Sequence, residues 1–207
     1  MDATDQATQG FADRHSVDRK IMKYLALLRG INVGGNNIIQ MRELKNLFSE
    51  MGFTDVLTYI QSGNVIFKCR EKNKTKLKTK IEKMLRKKLG YKITLAILTL
   101  TEMKKVIADK PAGFGKNKEA YKYDAVFLLE PLKVRDALKE FSPRDGIDKI
   151  SAGKNVIYIS RLISRLSQSG FSKIAGTKIY PNLTIRNWNT TEKLSKLMME
   201  LARMKND

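Results

Sequence analysis

One histidine, one cysteine, four prolines and one tryptophan are all that 207 residues contain of those types. The histidine, His15, stands in a polar leader, so the rest of the chain lacks the imidazole that a Ser-His-Asp triad, a Cys-His pair or a His-containing zinc site requires. Cys69 has no second cysteine to pair with, which removes both an internal disulfide and a structural zinc knot and points to a reducing, cytoplasmic setting. No uncharged apolar run approaches the roughly 18 residues of a membrane span. What remains for catalysis is carboxylate, lysine or tyrosine acid–base work, and Ser172 beside Lys173 is the only local hint of it. Catalysis is therefore left open, and the pattern calls for no metal or cofactor.

Positive charge is abundant. The chain carries 40 Lys and Arg against 21 Asp and Glu. Residues 1–21 have neither the basic nor the apolar stretch of a signal peptide and read as a disordered extension or a cloning remnant. Without them the body holds 37 basic against 17 acidic residues, a net +20. Such a charge attracts nucleic acid or anionic small molecules through long-range fields, although a plain excess of lysine for solubility explains it as well.

The apolar pattern alternates between periods of 2 and 3.6 and repeats once. Strands are predicted near Tyr24–Arg29, Thr54–Gln61, Asn64–Cys69 and Ile93–Leu98, with helices near Met41–Met51 and Thr75–Leu89. After a helix from Leu100 to Asp109, the same order returns. It comprises strand Asp124–Leu129, helix Lys133–Phe141, strands near Asp148–Ser151 and Val156–Ser160, helix near Leu162–Ala175 and strand Leu183–Asn187. Thr99 with Glu102, and Asn189 with Glu192, have the spacing of reciprocal helix caps. Leu194, Leu197, Met198 and Leu201 then stripe one face of a C-terminal amphipathic helix. The fold expectation is α+β, with two ferredoxin-like βαββαβ plaits in tandem or intertwined, strand order 4-1-3-2, over residues 22–110 and 111–207.

Two regions are candidates for binding. Plait geometry gathers the end of the first strand, the loop after it and the second-to-third-strand hairpin at one end of the sheet. Arg29, Asn32, Gly34, Gly35, Asn36, Gln61, Ser62 and Asn64 should form a polar surface there, with loop amides aimed at an anion. The glycines lack the spacing of a dinucleotide or P-loop fingerprint, and a sharp turn explains them equally. The second candidate is a nucleic-acid ridge of Lys76, Lys80, Lys83 and Lys87 on the helix from Thr75 to Leu89, joined by Arg186 and Trp188 as a stacking pair. The alternatives are a solvated helix face, and Trp188 as a core plug.

Three segments together carry a resemblance: YLALLRGINVGGNN at Tyr24–Asn37, TYIQSGNVIF at Thr58–Phe67 and TIRNWNT at Thr184–Thr190, echoed more briefly by GFSK at Gly170–Lys173. They resemble the signature of domain of unknown function 1697, a family of bacterial proteins. The resemblance implies a shared fold from Met22 onward and candidate positions in these loops. It implies no reaction.

Overall fold

The computed structural model describes residues 21–32 and 37–203. The fold opens with β1 (Met22–Arg29), α1 (Met41–Glu50), β2 (Thr54–Tyr59), β3 (Asn64–Cys69), α2 (Lys74–Leu89) and β4 (Thr94–Thr99). Then follow α3 (Leu100–Ala108), β5 (Tyr121–Leu128), α4 (Val134–Leu138), β6 (Asp148–Ala152) and β7 (Val156–Leu162), and the chain closes with β8 (Leu183–Asn187) and α5 (Trp188–Arg203). The architecture is α+β: two four-stranded antiparallel sheets, ordered β2-β3-β1-β4 and β6-β7-β5-β8, with interleaved helices and a C-terminal helix. Each sheet is built of consecutive strands, so the repeat is in tandem and no strand is exchanged.

Alternation along the central strands explains the layering. In β1, Tyr24, Ala26 and Leu28 face one core with α1 and α2, while Leu25 and Leu27 face a second core. In β5, Ala125 and Phe127 turn into that same second core, and Val126 and Leu128 turn away into a third. The middle core also takes Met103 and Val106 of α3 and Leu194, Met198 and Leu201 of α5. Period-2 strands thus bury both faces, and the two sheets share α3 and α5 between them.

Thr99 caps α3 as its sequence spacing predicts. Its hydroxyl accepts from the Glu102 amide at 3.2 Å, while the Glu102 carboxylate accepts from the Thr99 amide at 2.8 Å. The second cap is corrected. Helix α5 begins at Trp188, and it is Asn187, not Asn189, whose side-chain oxygen accepts a free amide, that of Asn189 at 2.9 Å.

The helix expected over Leu162–Ala175 is also corrected: β7 continues to Leu162, and 3₁₀ segments follow at Ile163–Gln168, Gly170–Gly176 and Tyr180–Asn182. The cause is local competition for backbone groups. Ser169 accepts from the Phe171 amide at 3.1 Å and donates to Asp148 at 2.6 Å, while the Gly170 amide donates to Asp148 at 2.8 Å. These bonds draw amides away from the i−4 carbonyls that an α-helix needs.

Asp148 is therefore held by hydrogen bonds. Burial pulls its carboxyl upward, yet the bonds from Ser169 and from the Arg144 and Gly170 amides, with the charge of Arg161, outweigh burial and leave it below the ordinary value. A folded pKa below the unfolded one adds stability above the unfolded value, and that stability is lost as pH falls through the folded value. The urea midpoint of the parent protein should drop more steeply than that of Asp148→Asn as pH falls below the ordinary aspartate value of about 4. Equal acid slopes would remove Asp148 from the account.

Candidate functional site

The end of β1 and the β2–β3 hairpin meet as expected. The amide of Leu28 donates to the Gly63 carbonyl at 2.8 Å. Gly63 has φ +70°, and a Cβ there would lie 2.9 Å from both Leu28 and Ile31, so only glycine fits this approach. Asn32, itself at φ 51°, donates through its amide nitrogen to the Ile39 and Gln61 carbonyls, each at 3.1 Å, and accepts from the Ile39 amide at 2.8 Å. Asn64 is fully buried and donates to the Tyr59 carbonyl at 3.0 Å and the Ser62 hydroxyl at 2.8 Å. Asn32 thus ties loop to hairpin, Asn64 is bonded within the hairpin, and both offer little to a ligand. Gln61 is exposed. Gly34, Gly35 and Asn36 lie outside the described residues.

Arg29 reaches into the other half of the chain. Its Nη1 donates to the Leu183 carbonyl at 2.7 Å, and its guanidinium lies 4.3 Å from the centre of the Tyr180 ring. Arg186 makes the reverse crossing from β8. Its Nε donates to Asn64 Oδ1 at 2.6 Å, and its Nη2 donates to the carbonyls of Leu28 at 2.7 Å and Ser62 at 2.8 Å. Its Nη1 donates to the Thr184 hydroxyl at 3.0 Å and the Ile185 carbonyl at 2.8 Å. Burial lowers its pKa to about 10, which still leaves a cation at neutral pH. No ion pair involves Arg186 among the described residues. Five bonds to neutral acceptors hold it in place.

Arg186 and Trp188 are therefore corrected as a stacking pair for a base. Arg186 is 8% exposed and Trp188 1%. Trp188 is a core plug, edge-on to Phe114 at 5.0 Å and to Tyr158 at 6.1 Å between ring centres. The sequence motif TIRNWNT marked these positions, but the partners of Arg186 lie up to 158 residues away and no local signal names them.

Helix α2 is positioned by Asn73, whose side chain accepts from the Lys76 amide at 3.0 Å, and is closed by Gly90 at φ 80°. Leu77, Ile81 and Leu85 turn inward. Lys83 and Lys87 are exposed, and with Arg86 and Lys92 they line one open groove in which Glu82 is the single carboxylate. Glu82 points back toward β4, accepting from the Leu95 amide at 3.3 Å, and burial chiefly raises its pKa. Lys76 stands 4.0 Å from Glu71. Lys80 leaves the ridge: its ammonium donates to the Met51 carbonyl at 2.7 Å and lies 5.1 Å from the Phe53 ring centre.

A family model described as "Protein of unknown function (DUF1697)" matches residues 21–158, more than half of the chain. The chain belongs to this family. The matched stretch carries the β1 loop, the hairpin and α2, while Arg186 and Trp188 lie beyond it. Among solved structures, a conserved bacterial protein from Streptococcus pneumoniae is similar at 26% identity with a TM-score of 0.76, covering 86% of this chain and 99% of that one. No curated protein matches. Among the described residues, no helix is long and apolar enough to cross a membrane.

Proposed function

We propose that this protein binds an anionic partner, a nucleic acid or a phosphate-bearing ligand, through the outer face of α2. The observation that supports this is the groove in which Lys83, Arg86, Lys87 and Lys92 face solvent while Glu82 is turned toward β4. Clustered cations that are not neutralised by neighbours release counterions from a phosphate backbone and so gain affinity. Recognition of this kind follows phosphate positions and carries no base sequence. Stacking of bases on a sheet, the usual device of RNA-binding plaits, has no room here because the central strands β1 and β5 bury both faces. The anion site expected on the loop after β1 has less support, because Asn32 and Asn64 are bonded to the backbone around them.

Fluorescence anisotropy with a labelled single strand of mixed sequence, titrated across salt concentrations, tests the reading. Binding should weaken steeply with salt and be indifferent to sequence. Reversing Lys83 and Lys87 to glutamate should reduce the log–log slope by roughly 0.7 for each phosphate that the variant no longer neutralises. Absence of binding at low salt, or an unchanged slope in the double variant, would remove α2 as the interface.

A further inference from the structure

Beside β4, an edge strand of the first sheet, lies a cleft of about 310 Å³. One wall is β4 from Leu95 to Thr99 with the first turn of α2; α3 forms the second. The third comes from the other sheet: the end of β5, the connection to α4 and the turn between β6 and β7. Ala96, Leu98, Val106, Phe127, Val156 and Tyr158 give it an apolar floor. A partly enclosed, mostly apolar cavity of roughly this size between two packed layers is the usual setting of a small-molecule site.

The edge of β4 argues against a peptide as the occupant. Three of its backbone groups already have side-chain partners: the Leu95 amide donates to Glu82 at 3.3 Å, the Ile97 carbonyl accepts from Lys74 at 3.4 Å, and the Thr99 amide donates to Glu102 at 2.8 Å. An added strand would have to displace all three, which is how natural sheets blunt an exposed edge.

Charge narrows the class further. Lys74 and Lys78 are tied to Glu102 and Glu82, at 2.6 Å and 3.9 Å. Lys105 of α3, Lys133 of the connection to α4 and Lys154 of the β6–β7 turn are exposed and enter no ion pair among the described residues. Asp109 and Glu130 share the rim, also unpaired. Three cations against two carboxylates leave one positive charge. We propose that the cleft binds an organic monoanion with an apolar body, its carboxylate held among Lys105, Lys133 and Lys154 and its tail lying on the floor. This assignment is independent of the α2 reading.

Isothermal titration with octanoate tests it, with 1-octanol as the uncharged counterpart. One-to-one octanoate binding is expected, at least tenfold tighter than octanol. The exposed double variant Lys105→Ala/Lys133→Ala should weaken octanoate about tenfold or more. Thr101→Trp, also at an exposed rim position, should obstruct the mouth and abolish binding while circular dichroism stays unchanged. Charge reversal at Lys83 and Lys87 should leave octanoate binding as it was. No saturable binding up to millimolar octanoate, equal affinity for octanol, or indifference to the lysine and Thr101 variants would each overturn the proposal. So would displacement of octanoate by an extended acidic peptide that binds more tightly, which would make β4 a strand-addition edge.

Discussion

Replacing Arg186 by alanine should lower the unfolding free energy by about 3–5 kcal/mol, because a buried network then loses every donor at its centre. The carbonyls of Leu28 and Ser62 and the side chain of Asn64 belong to the first sheet and its hairpin, whereas Arg186 is on β8 of the second. Truncation leaves these acceptors facing apolar surroundings, and the relief of desolvating one cation offsets only part of that cost. Arg186→Lys keeps the charge but has three donors on one nitrogen where the guanidinium has five in a plane, so it should recover less than half of the loss. Urea unfolding followed by circular dichroism reads both. Hydrogen exchange supplies a second measure: the amides of Leu28 and Asn64 should lose protection in Arg186→Ala more than those of β6, which lies far from the network. A loss under 1 kcal/mol, or uniform protection, would mean that the bonds to Asn64, Leu28 and Ser62 do not couple the sheets.

The position of Arg186 also explains what a sequence can and cannot convey. Element order was legible because each strand and helix writes its period into adjacent residues: Tyr24 to Leu28 alternate between two cores, and Leu77, Ile81 and Leu85 recur at helical spacing. The Thr99–Glu102 cap was legible for the same reason, since both partners fall within four residues. The Leu162–Ala175 segment was not. Its apolar residues suit a helix, but Asp148, reached only through the sheet, takes the Gly170 amide and the Ser169 hydroxyl. A tryptophan beside an arginine reads alike as a stacking platform or as a core plug. Gly115 and Phe114, against which Trp188 packs, sit more than 70 positions earlier in the chain. On α2, composition marked the basic face, but the departure of Lys80 toward Met51 depends on how α1 and α2 pack on one core.

The two glycines of the 3₁₀ segment Gly170–Gly176 should respond in opposite ways to a single methyl group, and the contrast separates a packing requirement from a general preference for glycine. A Cβ on Gly170 would lie 1.8 Å from the carbonyl oxygen of Ser142 and 3.5 Å from Asp148 Oδ2. The nearer atom is backbone, so no side chain can rotate aside and the segment itself must shift. That shift would stretch the 2.8 Å bond from the Gly170 amide to Asp148 and disturb the Ser169 bond beside it. Gly170→Ala should therefore cost about 3 kcal/mol, the upper end for overpacking, with a buried carboxylate partly stripped of its donors. A Cβ on Gly176 meets nothing within 4 Å. Gly176→Ala should be neutral or should stabilise by about 0.5 kcal/mol, because alanine restricts the unfolded chain more than glycine does. Urea denaturation of the two variants under one set of conditions is the measurement. In Gly170→Ala the acid sensitivity assigned to Asp148 should also weaken, since its carboxyl would return toward the ordinary value as its donors withdraw. A Gly170→Ala protein as stable as the parent would mean that the backbone at Ser142 yields freely, and the Asp148 network would lose its claim to have diverted this segment from an α-helix.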